Sequence, residues 1–391
     1  MLTLIKNAQV FAPEAMGTQD ILIAGHQIAA IEANINITLS GADIAVIDAQ
    51  QAIVTPGFVD PLAHITGGGG EGGFHTRTPE MKLTDASLFG VTTLVAGLGT
   101  DATTRTLPDL LAKAHALEHE GLNIYCYTGS YEYPVRTITG SVRDDLILID
   151  KFIGIGELAI ADHRGSHPSA HELARVASEA RVGGMLAGKR GIVFLHVGDD
   201  KTQLQLIRET CAQYPVPITQ FYPTHMNRST NLLRHGYDLA KQGMVLDLTA
   251  STTPELLAQG ELSAAEALAI ALQDGIAPSQ ISISSDGNAS LPDFNNNGEL
   301  IGLQVGRVGS IHEMLVSAVT TYEVPLTCAI QAVSSNAARY LGLKNKGRLR
   351  VGLDADLVML NPDSLAVKAV WSRGKQLVAN GKAIVHATFK P

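Results

Sequence analysis

The middle of the chain, from residue 53 to residue 286, alternates short apolar runs with segments whose apolar residues have helical spacing. Short apolar runs bounded by turn residues indicate buried strands. Their alternation with amphipathic helices is typical of repeated βα units around a parallel sheet. The pattern predicts eight strands, at 53–64, 91–98, 123–129, 157–162, 192–197, 218–225, 244–249 and 281–286.

Amphipathic segments that we expect to form helices fill the gaps between these strands, as at 104–120, 170–186, 202–213 and 263–273. Eight strands with eight crossovers predict a (β/α)8 TIM barrel. In such barrels the chemistry takes place at the carboxyl ends of the strands, because the loops that follow them surround one open mouth. Polar residues at those ends are therefore the candidates for a functional site.

The two ends of the chain are rich in short predicted strands separated by turn residues. The first part contains strands at 3–10, 20–24, 26–32 and 45–48, and the last part contains strands at 355–360, 367–371 and 375–379. We expect the two ends to pair into one small β-sandwich. The predicted domains are a β-sandwich made of 1–55 with 347–391, and a hydrolase barrel made of 56–346.

Composition narrows the class of protein. A chain of 391 residues that is 45% hydrophobic is long enough to bury a large α/β core and a smaller second one. The formal net charge of −9 and the absence of a Lys/Arg block argue against nucleic acid or an anionic membrane as a partner. We therefore expect a small-molecule substrate.

The cysteines and the apolar runs bear on the compartment. Cys126, Cys211 and Cys328 have no C-x-x-C spacing, which argues against a disulfide framework or a thiolate zinc site. The start lacks the features of a secretion signal, and no run approaches the ~18 apolar residues of a membrane span. These observations predict a soluble, cytoplasmic protein.

Five polar residues of the predicted strands suggest a metal site. His64, His196, His225 and Asp286 each close an apolar run, whereas Glu157 opens one. A catalytic zinc uses about three imidazole and carboxylate ligands and leaves a position for water, whose pKa falls toward ~7. His196 and His225 end adjacent predicted strands, so they can share one ion. Asp286, across the mouth, would accept the proton.

Several longer motifs add a family resemblance. The chain resembles the amidohydrolase superfamily, and within it the isoaspartyl dipeptidases, over nearly its full length. The motifs that carry the resemblance are PGFVD at 56–60, GGGGE at 67–71, TRTPE at 76–80, LGTD at 98–101, RTITGS at 136–141, DHR at 162–164, RVGG at 181–184, PTH at 223–225, NR at 227–228 and SSDGN at 284–288.

The resemblance implies a two-metal centre from which this chain departs twice. In the family, an H-x-H pair on the first barrel strand, a bridging carboxylated lysine, two further histidines and an aspartate hold the metals. Leu62 replaces the first histidine and Glu157 replaces the lysine, with an apparent one-residue insertion before Gly156 that could shift the strand. Both replaced residues belong to the ligands of the first of the two metals.

The second metal would keep Glu157, His196 and His225. This trio resembles the one-metal arrangement of the superfamily's N-acetylglucosamine-6-phosphate deacetylases. The preferred interpretation is therefore one zinc, with two zinc ions as the alternative. His64 would then hydrogen-bond near the water or complete a weak second site with Asp286.

The resemblance further implies residues that hold a β-linked aspartyl dipeptide. Glu71 would accept the substrate's ammonium, and Arg164 and Arg228 would hold carboxylates, which guanidinium groups bind through two parallel hydrogen bonds. Tyr131 would polarise the scissile carbonyl and stabilise the oxyanion. Further substrate contacts are implied for Gly69, Gly70, Thr100 and Ser290.

Three functions follow from these observations. The first is a metal-dependent hydrolase that cleaves the isopeptide bond of β-aspartyl dipeptides, with Asp286 passing the water proton to the leaving amine. The second is an amidohydrolase for another amide, an N-acyl amino acid or a cyclic amide. The third, a non-catalytic relative, would explain Leu62 and Glu157 but not the retained Tyr131 and arginines. The resemblance also implies a homo-oligomer.

Overall fold

The structure, a computed structural model, describes residues 2–37, 44–295 and 299–388. In these ranges a barrel of parallel strands adjoins a sheet formed by the two ends of the chain. The nineteen strands described are β1 (Leu2–Phe11), β2 (Ala15–Ala24), β3 (Gln27–Glu32), β4 (Ile44–Asp48), β5 (Ile53–Pro56), β6 (Phe58–Ala63), β7 (Val91–Ala96), β8 (Asn123–Thr128), β9 (Phe152–Ile160), β10 (Ile192–Val197), β11 (Phe221–Thr224), β12 (Leu246–Thr249), β13 (Ile281–Ser284), β14 (Ser290–Phe294), β15 (Leu300–Val305), β16 (Leu357–Leu360), β17 (Val367–Ser372), β18 (Lys375–Ala379) and β19 (Lys382–Ala383).

The helices include the four predicted from the sequence. Capping explains their ends: α4 starts after Ser169, whose hydroxyl accepts a hydrogen bond from Glu172 N, and it stops at the left-handed Gly188. No helix within the described ranges is long and apolar enough to cross a membrane. The twelve α-helices of these ranges are α1 (Leu83–Ser87), α2 (Leu107–Glu120), α3 (Val142–Leu148), α4 (Ala170–Ala187), α5 (Gln205–Gln213), α6 (Thr230–His235), α7 (Tyr237–Lys241), α8 (Pro254–Ala258), α9 (Ala264–Gln273), α10 (Ser310–Thr320), α11 (Leu326–Ala332) and α12 (Ser335–Leu341).

Strands β6 to β13 form the barrel, which confirms the predicted (β/α)8 fold. Strands β6 to β11 pair in parallel in chain order, and β12 pairs with β13. The barrel closes between its last and first strands, where Asp286 N donates to Leu62 O at 3.1 Å and His64 N donates to Gly287 O at 2.8 Å. This closure brings two candidate site residues, His64 and Asp286, to the same point of the rim.

Several predicted strand boundaries were wrong: β2 starts at Ala15 instead of 20, and β11 starts at Phe221 instead of 218. Two further differences bear on the site. The run at 53–64 is split at Gly57 into β5, which joins the end sheet, and β6, which enters the barrel. A Cβ at Gly57 would lie 2.2 Å from Thr92 Oγ1, so only glycine allows this close passage. The fourth barrel strand begins at Phe152, so Glu157 lies inside it. Glycines interrupt the apolar run at 152–156 and obscured its start.

Strand β9 carries β-bulges. Against β10, the register passes from Val193 opposite Ile155 to Leu195 opposite Leu158, so two residues of β9 face one of β10. A second irregularity occurs against β8. A bulge re-aims the side chains that follow it. One of the bulges lies at Gly156 and Glu157, while the shift of this strand relative to the family pattern stays a prediction.

The two ends of the chain meet in one sheet, as predicted. Strand β16, from the C-terminal part, pairs antiparallel with β5, which in turn pairs in parallel with β1. The nine strands form a single hydrogen-bonded sheet with its own buried core, which includes Ile21, Leu357 and Trp371. The division into 1–55 with 347–391 and 56–346 stays a prediction, and its residues 1, 38–43, 296–298 and 389–391 lie outside the described ranges.

A buried ionic network joins the barrel to the end sheet. Lys346 Nζ lies 2.8 Å from Asp354 Oδ2 and 2.7 Å from Asp356 Oδ2. Asp356 Oδ1 also accepts hydrogen bonds from Asn123 Nδ2 at 3.2 Å and from Arg373 N at 2.7 Å. Burial alone would lower the pKa of Lys346, but the two carboxylates raise it. The lysine therefore stays charged at neutral pH and compensates Asp356.

We predict that Lys346→Met destabilises the protein by about 3–5 kcal/mol, because it leaves a buried carboxylate without its cation. Urea unfolding measures the loss. Arg348→Met is the matched control, since its ion pair with Glu14 is exposed and should contribute less than about 1 kcal/mol. Equal unfolding midpoints for the two variants would contradict the role given to Lys346.

Candidate active site

A cavity of about 800 Å³ opens at the carboxyl ends of the barrel strands. Almost all residues predicted from the sequence to form the site lie on its wall. Gly70, predicted to contact substrate, lies between two of them on the glycine loop but is not part of the described wall. The predicted residues that line the cavity are His64, Gly69, Glu71, Thr100, Tyr131, Glu157, Arg164, His196, His225, Arg228, Asp286 and Ser290.

The carboxylate of Glu157 lies among three imidazoles at the bottom of the cavity. Its Oε2 is 3.4 Å from His196 Nδ1 and 3.7 Å from His225 Nε2. Its Oε1 is 3.5 Å from His64 Nε2, which is also 3.1 Å from Asp286 Oδ1. All five residues are buried. Glu157 thus belongs to two groups that could hold a metal, one with His196 and His225 and one with His64 and Asp286.

The pKa shifts distinguish these two groups. Burial lowers the pKa of His225 to about 4, and the neighbouring His196 adds to the effect. Burial would also lower the pKa of His64, but hydrogen bonds with Asp286 and Glu157 raise it to about 10. At pH 7, therefore, His225 is neutral, the form that binds metals, whereas His64 is an imidazolium. The difference favours the group with His196 and His225.

Unpartnered atoms test whether this group fits a metal. Glu157 Oε2 and His225 Nε2 are buried and have no hydrogen-bond partner among the described residues. Leaving such an atom unsatisfied costs roughly 1–3 kcal/mol. Together with His196 Nδ1 they offer two nitrogens and one oxygen, a ligand set used by catalytic zinc. The residues therefore fit one divalent metal.

Leu62, where the family pattern has a histidine, takes part in the barrel core. Its side chain is fully buried in a cluster with Val59, Val95 and Tyr127. A Cβ placed on Gly97 would be 3.4 Å from Leu62 Cδ1, so little space remains around it. The leucine thus supplies packing where a nitrogen ligand would otherwise lie, which leaves the group around His64 with a single imidazole.

The imidazole rings are fixed by partners that the sequence did not reveal. His225 Nδ1 lies 2.6 Å from Thr249 Oγ1, and His196 Nε2 lies 2.8 Å from Asp162 Oδ2. Such partners orient the ring and set which nitrogen is free to bind metal. Asp162 stood in a recognised motif, DHR at 162–164, but its role was not predicted. Thr249 had no signal beyond its place at the end of a strand.

The segment that carries Asp286 is held by Asp60, a residue to which the sequence analysis gave no role. The backbone N of the preceding Ser285 donates to Asp60 Oδ1 at 3.0 Å, and the Ser285 hydroxyl bonds to the same carboxylate. Burial raises the pKa of Asp60 to about 7. Asp286 itself has a φ of 52°, a conformation that is uncommon outside glycine and that clusters at functional sites.

Glu71, which also lines the cavity, is held by two hydroxyls. Thr100 Oγ1 donates to Glu71 Oε1 at 3.2 Å, and Ser290 Oγ donates to Glu71 Oε2 at 2.8 Å. Arg164 Nη1 lies 3.6 Å from Glu71 Oε1. A Cβ on Gly69 would be 2.6 Å from Ser290 Cβ, so only glycine lets the loop approach so closely. The glycine loop thereby places a carboxylate over the cavity.

Arg228 and Tyr131 supply donors on the cavity wall. Arg228 Nη1 donates to Asp199 Oδ1 at 3.2 Å, while its buried Nε has no partner among the described residues. The Tyr131 hydroxyl is 2.7 Å from His196 Nδ1. Burial raises the pKa of Tyr131 well above its usual value, so the phenol stays protonated and can donate. The cavity therefore offers donors and cations for anions and one carboxylate for a cation.

Solved structures place this architecture among known enzymes. The chain is 40% identical to the β-aspartyl dipeptidase of the keratin-degrading thermophile Fervidobacterium islandicum AW-1 in complex with β-Asp-Leu dipeptide, with a TM-score of 0.91 over 100% of both chains. A second structure of that enzyme is 39% identical, with a TM-score of 0.89 over 98% of both chains. Dihydropyrimidinase from Brevibacillus agri, at 18% identity and a TM-score of 0.68, shares the fold.

Sequence comparisons give a broader match. A model of the amidohydrolase family matches residues 53–383. A dihydroorotase of Lactiplantibacillus plantarum is 26% identical over 93% of this chain and 90% of the relative. A dihydroorotase of Staphylococcus epidermidis is 34% identical, but over only 30% of this chain and 25% of the relative.

We predict that Thr249→Val lowers the affinity for zinc by about 10–100-fold, because the His225 ring loses the hydroxyl that orients it. Competition with a chromophoric chelator measures the dissociation constant. Thr93→Val is the matched control, since Thr93 is buried in β7 and its hydroxyl has no hydrogen-bond partner among the described residues. If both variants keep the wild-type affinity, His225 is not a ligand held by Thr249.

Proposed function

Because the chain belongs to the amidohydrolase family, and within it to the isoaspartyl dipeptidases, we propose that it hydrolyses the isopeptide bond of β-aspartyl dipeptides. Family membership makes the protein a hydrolase. The proposal concerns its substrate, its metal and the roles of its residues. We propose one zinc ion as the cofactor, held by Glu157, His196 and His225.

The observation that carries the proposal is the charge pattern of the cavity. Glu71 presents a carboxylate 3.6 Å from Arg164 Nη1, and Arg228 also lines the cavity. A β-aspartyl dipeptide carries one ammonium and two carboxylates, so one anionic and two cationic side chains match its charges. The similar Fervidobacterium enzyme, 40% identical, is described in complex with such a dipeptide.

Substrate binding follows from these charges. Glu71 would accept the ammonium group, with Thr100 and Ser290 keeping its carboxylate in place. Arg164 and Arg228 would each bind a carboxylate, since a guanidinium matches the two oxygens of that group. Held at both ends, the dipeptide would present its isopeptide carbonyl to the bottom of the cavity. Fixing the reacting groups in this way lowers the entropic part of the barrier.

The chemical step depends on the groups at the bottom of the cavity. When bound, zinc supplies a Lewis acid that lowers the pKa of a water toward neutrality. Asp286 would accept the proton of the attacking water and pass it to the leaving amine. The protonated Tyr131 would donate a hydrogen bond to the carbonyl oxygen as negative charge develops there. His64 lies 3.1 Å from Asp286 and would orient its carboxylate.

A cyclic amide is the second candidate substrate. It is favoured by the 26% identity to a dihydroorotase over 93% of the chain. Dihydroorotate has one carboxylate and no ammonium group, so it would leave Glu71 without a cation. The dipeptide therefore fits the charges of the cavity better.

Assembly and location complete the proposal. Large apolar side chains of the adjacent helices α3 and α4 are exposed: Leu148, Val182, Met185 and Leu186. Apolar patches of this kind are typical of interfaces, which supports a homo-oligomer. The cysteines of the described ranges are free thiols, in keeping with a reducing cytoplasm.

We predict that the zinc-loaded protein hydrolyses β-Asp-Leu and leaves α-Asp-Leu intact, because only the β-linked isomer carries its ammonium and a carboxylate on the same carbon, one methylene away from the scissile carbonyl. Release of free leucine measures the activity, and dihydroorotate is assayed in parallel. Turnover of dihydroorotate alone would replace the dipeptidase proposal with the cyclic-amide one. Turnover of none of the three would reject both substrates.

We predict that Asp286→Asn lowers kcat for β-Asp-Leu by about 10²–10⁴-fold, the usual contribution of a general acid–base group. The affinity for zinc at Glu157, His196 and His225 should stay near the wild-type value, because Asp286 lies in the other group. Asp200→Asn, an exposed carboxylate at the edge of the cavity, is the control and should keep its kcat. A full kcat in Asp286→Asn would show that another group moves the proton.

A further inference from the structure

Asp162 lies just after β9 on the wall of the cavity and is buried, with 6% of its surface exposed. Its Oδ1 accepts hydrogen bonds from Arg164 N at 2.8 Å and from Arg164 Nε at 3.0 Å. Its Oδ2 accepts a hydrogen bond from Arg164 Nη2 at 2.8 Å. The carboxylate therefore binds the guanidinium through two parallel hydrogen bonds, which fix the plane of the group.

The same oxygen has a second partner on the neighbouring strand. Asp162 Oδ2 lies 2.8 Å from His196 Nε2. A carboxylate can only accept, so this contact needs the proton on Nε2, which leaves the lone pair of the neutral ring on His196 Nδ1. The guanidinium donors Arg164 Nη2 and Arg228 Nη2 lie farther from Nε2, at 3.5 Å and 3.4 Å, so the shorter contact with Asp162 decides the tautomer.

The lone pair of His196 Nδ1 is on the side of Glu157 Oε2, 3.4 Å away. It also faces the Tyr131 hydroxyl at 2.7 Å, whose hydrogen bond a bound metal would replace. Asp162 thus selects the tautomer of His196 that can share a metal with Glu157.

The N–H donors of the Arg164 guanidinium face two different carboxylates. Nε and Nη2 donate to Asp162, and Nη1 remains on the cavity side, 3.6 Å from Glu71 Oε1. Five N–H groups in a rigid plane leave enough donors for a second carboxylate. The direction in which Arg164 offers those donors is set by its bond to Asp162.

The backbone keeps Asp162 in place. A Cβ on Gly198, which follows β10, would lie 2.6 Å from Asp162 Cβ and 2.3 Å from Ala161 O. Gly198 N also donates to Ile160 O at 3.0 Å. The loop after β10 therefore packs directly against the backbone and Cβ of Asp162. Burial would raise the pKa of Asp162, but hydrogen bonds with His196 and Arg164 hold it far below its usual range.

We propose that Asp162 is a positioning residue that acts on two parts of the site through one carboxylate. It fixes the tautomer and orientation of His196 for the metal and the orientation of Arg164 for the substrate carboxylate. The inference rests on the proposed function, since it assigns Arg164 to substrate and His196 to zinc. Asp162 itself touches neither.

Asp162→Asn tests this coupling. The amide keeps the shape of the side chain, but only its oxygen can accept a hydrogen bond. The variant therefore cannot serve Arg164 and His196 with both of its polar atoms. We expect the dissociation constant for zinc, measured by chelator competition, to rise about 10–100-fold. At saturating zinc, we expect KM for β-Asp-Leu to rise about tenfold or more. The fall in kcat should be smaller than the rise in KM. Asp162→Ala provides the same two measurements if the asparagine variant does not fold.

Asp20→Asn is the matched control for a merely structural effect. Asp20 is buried in the end sheet, where it accepts hydrogen bonds from Asn7 N and Ile35 N at 2.9 Å each. The Asp20→Asn substitution should lower the melting temperature without changing the dissociation constant for zinc or KM for β-Asp-Leu. Wild-type zinc affinity or wild-type KM in the Asp162 variant would overturn the proposal. Changes in zinc affinity and KM of the same size in Asp20→Asn would overturn it as well.

The two proposals can fail separately. If the wild-type protein does not cleave β-Asp-Leu, the proposed function is rejected. The zinc affinity then decides the role of Asp162 alone: a weakened affinity in Asp162→Asn supports its action on His196, and an unchanged affinity overturns it.

Discussion

The site depends on one buried carboxylate, that of Glu157, surrounded by three imidazoles. Burial would raise its pKa, but the neighbouring imidazoles of His196, His225 and His64 hold the pKa well below its usual range. A buried charge of this kind is tolerated only with compensating partners. The arrangement leaves two lone pairs without hydrogen-bond partners among the described residues, and these are the atoms that fit a metal.

The geometry of the barrel makes this arrangement possible. Glu157 reaches the imidazoles because β9 bulges at Gly156 and Glu157 against β10. On the other side of the site, Leu62 supplies hydrocarbon to the barrel core where a ligand would lie in the family pattern. The two departures are compatible, since a carboxylate on a bulged strand and a leucine on the first strand both favour a site with a single metal.

Around the candidate metal site, the polar residues form connected pairs. Asp162 joins His196 to Arg164, Thr249 holds His225, and Asp60 holds the segment that carries Asp286. Each pair links a group at the bottom of the cavity to a neighbouring strand or loop. Because these partners are buried, their hydrogen bonds restrict the groups that would bind metal and substrate, which is the preorganisation that catalysis needs.

The local pattern of the sequence was sufficient to predict the barrel, the pairing of the two ends and the five polar residues at the bottom of the cavity, because buried strands and strand-end polar residues leave a periodic signal. The predicted substrate-binding residues came from the family resemblance instead. The local pattern failed at the start of β9, where glycines interrupt the apolar run, and at Gly57, where one run divides between two sheets. The roles of Asp162, Thr249 and Asp60 were also beyond it. Each depends on which strands lie side by side, and only tertiary packing decides which donor meets which acceptor.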